Sequence, residues 1–253
     1  MRPQIYSLAA LALLAAEAAV AAGEPGASNS IRAAGTQTNA EPAKAPVDWA
    51  AVFKVHWQNR VRAFKEQNLE WQHVVLLGDS ITEGFEVSKY FPGRHVLNRG
   101  IGADVIGNGM PADDPRGVLR RLDNSVFDCA ATDLFILIGI NDLNSERTVD
   151  SMEAGYRELL KRVREKRPDL RIVVQSVLPT RGIHAKQNAP VVDFNQRLKR
   201  LAPEFNCTFL DLHSLLRDAD GQLKAEFTED GLHLTEPAYL VWRQQIFKTL
   251  NWN

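Results

Sequence analysis

The chain has 253 residues, of which 45% are hydrophobic and 24% are charged, a composition typical of a globular protein. Its formal net charge is -1, so it carries no excess of basic side chains with which to neutralise a nucleic-acid backbone. No nucleic-acid partner is therefore expected. The length favours one domain, with two as the alternative.

The amino-terminal segment predicts export. Arg2 precedes an apolar stretch from Ile5 to Leu14 and then alanine-rich sequence that ends at Ala22 with small residues suited to a signal peptidase. The apolar stretch is too short to span a bilayer. We expect residues 1–22 to be a cleaved signal peptide, with a retained anchor as the alternative. The mature protein is then expected to be secreted or periplasmic, without stable membrane insertion.

The next segment predicts a linker, and the rest of the chain predicts one domain. Residues 23–47 are rich in Gly, Ala, Pro and Ser and have no periodic apolar face, so they bury too little surface to offset the entropy of ordering them. Residues 48–253 then form the folded domain. The chain has two cysteines, Cys129 and Cys207. They could pair in an exported protein, but two separate thiols fit the sequence equally well.

Hydrophobic patterning within the domain predicts alternating strands and helices. A first helix is expected between Trp49 and Asn68, with an apolar face made of Val52, Phe53, Trp57, Val61 and Phe64. Short apolar runs predict strands at 73–77, 95–97, 134–138, 171–175 and 208–210. Helical segments are expected at about 115–122, 151–166, 188–202 and 236–249. This alternation predicts a parallel sheet with helices on both faces, whose ligands bind at the carboxyl ends of the strands.

A serine follows the first predicted strand, in the sequence Gly78-Asp79-Ser80. Gly78 permits a sharp turn, Asp79 can accept backbone N–H groups, and the following residues can begin a short helix whose amides face developing negative charge. A serine hydroxyl in this position becomes a nucleophile only when a base removes its proton. The alternative is a plain strand-to-helix turn in which Ser80 caps the helix.

A candidate base lies near the other end of the chain. His233 follows Asp230 by three residues in a polar turn before the last predicted helix. Asp230 can then reach the imidazole Nδ1 and leave Nε2 to face the serine, which supplies a nucleophile, a base and an orienting carboxylate for acyl transfer. The alternative is a solvated surface pair, and His213, which follows Asp211, is a rival base.

Two further segments can stabilise an oxyanion. Asn141 follows the strand at 134–138 and can donate its side-chain N–H, or it can simply form a turn. The glycine-rich segment 98–104 follows the second strand and can bring backbone amides close to a substrate. It lacks the Lys-Ser/Thr of a P-loop and the full dinucleotide spacing. No metal-ligand cluster is visible in the sequence, and neither a metal nor a cofactor is expected.

In chain order, these four segments resemble the conserved blocks of the SGNH hydrolases, also called GDSL esterases and lipases. The resemblance extends over about residues 71–240. It implies a three-layer α/β/α sandwich, flavodoxin-like, with a five-stranded parallel sheet. It also implies metal-free ester hydrolysis by Ser80, His233 and Asp230. The implied oxyanion hole consists of the Ser80 amide, an amide of the second block and the Asn141 side chain.

The chain departs from the family pattern at one of these oxyanion positions. The second-block amide usually belongs to a glycine just before an aspartate, and here that position is Ala103. We assign the role to Ala103, with Gly102 as the alternative, and expect Ala103 to avoid a positive φ angle. The chain also lacks the Gly-x-Ser-x-Gly elbow of α/β-hydrolases around Ser80.

The second block further resembles the acetylhydrolase branch of the family, which includes platelet-activating-factor acetylhydrolase-like proteins and bacterial carbohydrate acetylesterases. It therefore implies hydrolysis of short acetyl esters, with a small-molecule or glycan ester as the expected partner. Export favours a carbohydrate substrate, and no long apolar insertion suggests a tunnel for a lipid tail. The alternatives are a lysophospholipase or thioesterase acting on longer acyl chains, and a non-catalytic glycan-binding module on the same fold.

Overall fold

A computed structural model describes residues 47–68 and 73–252. The predicted signal peptide, 1–22, and the predicted linker, 23–47, apart from its last residue, lie outside the described residues, so both stay predictions. Among the residues that are described, no helix has both the length and the apolar character needed to cross a membrane.

The centre of the fold is a sheet of five parallel strands in the order β2-β1-β3-β4-β5. The strands are β1 His73–Gly78, β2 Val96–Gly100, β3 Ala131–Leu137, β4 Arg171–Gln175 and β5 Thr208–Leu210. Gly78, the last residue of β1, pairs with Gly100 of β2 on one side and with Leu137 of β3 on the other. The three strands therefore end side by side. Because the chain order reverses across β1, this edge is the topological switch point at which ligands bind in such sheets.

Helices pack on both sides of the sheet, which confirms the predicted α/β/α sandwich. They are α1 Trp49–Gln67, α2 Ser80–Glu83, α3 Val87–Tyr90, α4 Ile140–Asn144, α5 Val149–Lys166, α6 Asn188–Glu204, α7 His213–Leu216 and α8 Glu236–Leu250. With helices on both faces, the central strands have no solvent-facing side, and residues such as Leu76 and Phe135 are completely buried. The apolar runs that predicted strands therefore mark the core.

The helix predicted over about 115–122 is wrong. The chain forms a single 3-10 turn at Val118–Arg120 and then a π-type turn at Asp123–Phe127. The backbone N–H groups of Val118 and Leu119 donate to the carbonyls of Val105 and Ile106, at 2.9 and 3.1 Å. These amides bind a neighbouring segment rather than the preceding turn, so an α-helix does not propagate even though the apolar spacing resembles one.

The two cysteines are free thiols. Cys129 is buried and Cys207 is partly buried. The Cys129 Sγ contacts the carbonyls of Ser125 and Val126 at 3.7 and 3.4 Å, whereas the Cys207 Sγ lies 3.3 Å from the Phe205 carbonyl. The two sulfurs thus have separate surroundings. Of the two possibilities that the sequence allows, a disulfide and two separate thiols, the structure shows the second.

Candidate active site

Ser80 lies two residues after Gly78, the last residue of β1, and the chain bends at Asp79 between them. A Cβ atom at Gly78 would lie 2.1 Å from Thr82 Oγ1 and 2.3 Å from the Leu137 carbonyl oxygen, so no other residue fits there. Asp79 caps α2, and its Oδ1 accepts the N–H of Ile81 at 3.0 Å. Ser80 is therefore the first residue of α2 rather than its cap, and it sits at the switch point of the sheet.

The structure brings Ser80, His233 and Asp230 into one chain of hydrogen bonds. His233 Nε2 lies 3.0 Å from Ser80 Oγ, and His233 Nδ1 lies 2.7 Å from Asp230 Oδ2. The other carboxylate oxygen, Oδ1, accepts the backbone N–H groups of Leu232 and His233 at 2.9 and 2.8 Å. Partial burial by itself would raise the pKa of Asp230, but these partners outweigh it and hold the pKa far below its usual value. Asp230 is thus a fixed anion beside the imidazole.

Backbone contacts fix the turn that carries Asp230 and His233. The Gly231 N–H donates to Thr228 Oγ1 at 2.8 Å, and the Gly231 carbonyl accepts the N–H of Arg181 at 2.8 Å. Gly231 has a φ of 87°, and a Cβ there would lie 2.3 Å from the Arg181 carbonyl oxygen. The turn therefore needs glycine at this position, and the segment after β4 holds it in place.

The rival base has different surroundings. His213 is the first residue of α7, beyond β5, and its backbone N–H donates to Ser176 Oγ at 2.8 Å. Its ring is buried, and burial lowers its pKa. The imidazole that reaches Ser80 Oγ is that of His233, so the structure gives His213 no part in this arrangement.

Three candidate oxyanion donors follow the carboxyl ends of β1, β2 and β3, which end side by side. The backbone N–H groups of Ser80 and Ala103 have no acceptor among residues 47–68 and 73–252. Asn141 lies on α4, directly after β3, and one of its two side-chain N–H bonds points to the Asp104 carbonyl at 3.0 Å, which orients the amide. The Gly102 N–H, by contrast, already donates to Glu83 Oε2 at 2.5 Å. Of the two candidates in this loop, Ala103 is the one with a free amide.

Ala103 has a φ of 60°, contrary to the expectation that it would avoid positive values. The left-handed conformation costs an L-residue about 1–2 kcal/mol, so the surrounding structure must hold it. Asp104 provides one restraint, because its carboxylate accepts the Gly117 N–H at 2.6 Å and Arg121 Nε at 2.7 Å. Both charged side chains of this ion pair are completely buried. Arg121 also donates to the carbonyls of Gly78 and Arg99, each at 2.9 Å, which links the loop to the ends of β1 and β2.

Two more buried carboxyl groups lie beside the site. Burial raises the pKa of Asp79 to about 7 and that of Asp142 to about 7. Asp142 Oδ2 accepts the Ile106 N–H at 3.0 Å, which holds the segment after Ala103. Because desolvation penalises the charged form, both groups carry protons in mildly acidic solution.

Sequence reasoning missed a polar cluster beneath the oxyanion loop. Glu83, at the end of α2, contacts His56 and Arg60 of α1 as well as the Gly102 amide. The available signal was the helical spacing of His56 and Arg60 with Phe53 and Phe64, which places two polar side chains on the inner face of α1. Within the described residues, no group of three or more His, Cys, Asp or Glu side chains is arranged to hold a metal ion.

Comparison with known proteins identifies the family. The sequence model of the GDSL-like lipase/acylhydrolase family matches residues 76–241, which include Ser80, Ala103, Asn141, Asp230 and His233. The chain belongs to this family. The resemblance expected from the four sequence segments is thereby confirmed, and membership supports an esterase or related hydrolase activity.

Several proteins similar to this GDSL-like family member carry the names of acylhydrolases or esterases. Platelet-activating factor acetylhydrolase IB subunit alpha1 from Pongo abelii is 28% identical over 176 residues, which cover 66% of this chain and 70% of the relative. A solved structure from Streptococcus pneumonia, named for platelet-activating factor, has a TM-score of 0.68 at 24% identity and covers 80% of this chain and 94% of its own. Est24, a carbohydrate acetylesterase from Sinorhizobium meliloti, has a TM-score of 0.58 at 16% identity, covering 72% and 99%. At these identities the solved structures support the fold.

Proposed function

We propose that the protein is a serine esterase that removes acetyl groups from esters, with acetylated carbohydrate as the preferred substrate class. The observation that carries the proposal is the chain of hydrogen bonds from Ser80 through His233 to Asp230, together with the unpaired backbone amides of Ser80 and Ala103. A nucleophile, a base, an orienting carboxylate and oxyanion donors are the parts that acyl transfer by serine requires.

In the proposed mechanism, Ser80 Oγ attacks the ester carbonyl while His233 Nε2 takes the hydroxyl proton. The N–H groups of Ser80 and Ala103, with the free side-chain N–H of Asn141, donate to the oxyanion of the tetrahedral intermediate. The carbon–oxygen bond to the leaving alcohol then breaks, and His233 returns the proton to that alcohol. Water attacks the acyl-Ser80 intermediate with His233 again as base, which releases the acid and regenerates the serine. Asp230 holds the imidazole tautomer and stabilises its protonated form throughout.

Acetyl transfer is favoured by two of the relatives. One is named a platelet-activating factor acetylhydrolase and the other a carbohydrate acetylesterase, so the two names differ in the molecule that carries the acetyl group. The predicted export of this chain favours the sugar. Longer acyl esters remain the alternative for a lysophospholipase or thioesterase, and the same fold could serve a non-catalytic glycan-binding module.

Turnover of p-nitrophenyl esters tests the catalytic proposal. We expect Ser80→Ala and His233→Ala each to lower kcat for p-nitrophenyl acetate by at least about 1,000-fold, because each removes a group that forms or breaks bonds. A fluorophosphonate probe should label the wild-type protein at Ser80 and leave Ser80→Ala unlabelled. Full activity in a folded Ser80→Ala protein would refute the mechanism, and a wild-type protein that resists labelling would favour the binding module.

Substrate class is tested separately from mechanism. A series of p-nitrophenyl esters from acetate to palmitate should give the highest kcat/KM at acetate, and a maximum at long chains would instead support the lipid alternative. Acetate release from acetylated glycans and from an acetylated phospholipid then compares the two sources of the acetyl group. We expect the glycan to be the better substrate, and faster release from the phospholipid would contradict that choice.

We also propose that the mature protein acts outside the cytoplasm, as the segment 1–22 predicts. Expression of the full chain in a bacterial host should give a periplasmic or secreted product whose amino terminus, read by sequencing, begins close after Ala22. A product that keeps Met1 and stays in the cytoplasm would contradict export.

A further inference from the structure

The Glu83 carboxylate joins the first helix to the loop that carries Ala103. Glu83 Oε2 accepts the Gly102 N–H at 2.5 Å, and its oxygens lie 3.1 Å from His56 Nε2 and 3.1 Å from Arg60 Nε. The side chain of His56 is 5% exposed and that of Glu83 is 19% exposed, so water screens these contacts only weakly. Burial by itself would raise the pKa of Glu83, but the three partners lower it below its usual value, which keeps the carboxylate an acceptor.

Helix α1 also binds this loop two residues earlier, at Gly100. Arg60 donates from Nη2 and Nε to the Gly100 carbonyl, at 2.9 and 3.2 Å. Gly100 in turn packs directly on Glu83, because a Cβ at Gly100 would lie 2.1 Å from the Glu83 backbone nitrogen. Asn98 completes the junction by donating its side-chain amide to the carbonyls of Thr82 and Glu83, at 2.7 and 3.0 Å. The end of β2 and the end of α2 therefore form one rigid unit with α1 beneath them.

This unit controls the direction of the next amide along the loop. Glu83 fixes the nitrogen of Gly102, while Arg116 donates to the Ala103 carbonyl at 3.4 Å and the Asp104 N–H donates to the Ile101 carbonyl at 3.2 Å. Ala103 lies between these fixed points with a φ of 60°, and its own N–H is left free. An alanine released from such restraints returns to negative φ, which turns its amide to a different direction.

We propose that Glu83, supported by His56 and Arg60, is a positioning residue that holds Ala103 in the left-handed conformation and aims its amide at the oxyanion. The inference rests on the proposed esterase function and assigns a role to residues that touch neither substrate nor nucleophile. Helix α1 lies before residues 76–241, the part matched by the family. The support of the oxyanion loop in this chain therefore includes an element outside the family match.

The test compares Glu83→Ala with Glu83→Gln. We expect Glu83→Ala to lower kcat for p-nitrophenyl acetate by about 10- to 100-fold, while KM changes by less than about 3-fold. This decrease in kcat is somewhat smaller than the one caused by removing an oxyanion donor completely. The affinity for phenylboronic acid, whose tetrahedral adduct with serine places an oxygen in the oxyanion hole, should fall by a similar factor. Glu83→Gln keeps an acceptor for the Gly102 N–H and should stay within about 5-fold of wild type. The exposed Glu86→Ala removes the same charge three residues away and should behave as wild type.

A second substitution separates positioning from stability. Glycine adopts positive φ without strain, so Ala103→Gly added to Glu83→Ala should restore kcat by at least about 3-fold. Kinetics are measured well below the melting temperature of each variant. If Glu83→Ala does not fold, Arg60→Met takes its place, and its kcat should fall by about 3- to 10-fold.

Unchanged kcat and boronate affinity in Glu83→Ala overturn the inference, and so does a loss of kcat that Ala103→Gly leaves uncorrected. If Arg60→Met is tested instead, an unchanged kcat in that variant also overturns the inference. A wild-type protein that turns over no ester refutes the proposed function itself. An active wild-type enzyme that is indifferent to Glu83 refutes only the positioning role.

Discussion

Asp230→Asn should inactivate the enzyme more completely than Asp230→Ala, for a reason that lies in the backbone. Asp230 Oδ1 accepts two N–H groups, those of Leu232 and His233, while Oδ2 faces His233 Nδ1. An asparagine must place its single oxygen where the two N–H groups point, so its NH₂ group faces Nδ1. A donor at that position makes Nδ1 an acceptor and moves the ring proton to Nε2. The imidazole then presents N–H to Ser80 and cannot take the hydroxyl proton.

The structure bounds the size of this effect. To restore the productive tautomer, the asparagine amide must flip and place its NH₂ group against two backbone donors. Each hydrogen bond lost in a partly buried site costs about 1–3 kcal/mol, so the flip costs about 2–6 kcal/mol. At about 1.4 kcal/mol per factor of ten, kcat should fall by between about 30-fold and about 20,000-fold. Asp230→Ala removes the misplaced donor and leaves space for water to accept from Nδ1, so we expect it to retain more activity.

Two measurements check this reasoning. Steady-state kinetics with p-nitrophenyl acetate give kcat for both variants, and nitrogen NMR of the histidine ring reports which ring nitrogen carries the proton. We expect the Asp230→Asn protein to carry it on Nε2 of His233, and wild type to carry it on Nδ1. An Asp230→Asn enzyme that is more active than Asp230→Ala, with the proton still on Nδ1, would refute the argument from the backbone amides.

Two further predictions concern buried charge. Arg121→Met leaves Asp104 charged and unpaired in the core, so we expect the free energy of unfolding, measured in urea, to fall by about 3–5 kcal/mol. Adding Asp104→Asn should restore part of it. A fall of less than about 1 kcal/mol would contradict this prediction. Burial raises the pKa of Asp79 from 3.8 to about 7, so between these values the folded protein keeps a proton that the unfolded chain has released. The free energy of unfolding should therefore fall as pH rises from about 4 to 7, and Asp79→Asn should make the decline shallower. If the free energy of unfolding, measured in urea, has the same pH dependence in both proteins, the prediction is wrong.

The strands and the meeting of Ser80 with His233 could be predicted because they depend on regular features. Strands buried on both faces read as continuous apolar runs, and four or more buried residues in a row mark β1 and β3. Parallel strands align their carboxyl ends, so a serine directly after β1 must lie at the switch-point edge. The turn that carries His233 directly precedes α8, and His233 contacts Ser80 if this turn lies at the same edge of the sheet. These inferences do not depend on the details of side-chain packing.

The inner face of α1 could be predicted only in part. Apolar spacing gives a face of Val52, Phe53, Trp57, Val61 and Phe64, whereas the side chains buried in the structure are Phe53, His56 and Phe64. The face is rotated toward His56 and Arg60 because both side chains have a carboxylate partner in Glu83. Hydrophobic patterning predicts that polar residues are exposed. It cannot predict that His56 has a partner in Glu83, 27 residues further along the chain.

The conformation of Ala103 could not be predicted from the sequence for a related reason. An alanine by itself prefers negative φ, so its local preference predicts that Ala103 avoids the left-handed region. The replacement of the family's glycine by alanine then argues against Ala103 as an oxyanion donor. The structure instead holds Ala103 at 60° with restraints from α1, α2 and the segment at Arg116 to Arg121, none of which is adjacent to it in the sequence. Glycine reaches this conformation through its own freedom, whereas alanine needs a fold that imposes it. The alanine therefore makes the oxyanion loop depend on its supports, which is why we expect Ala103→Gly to weaken the effect of losing Glu83.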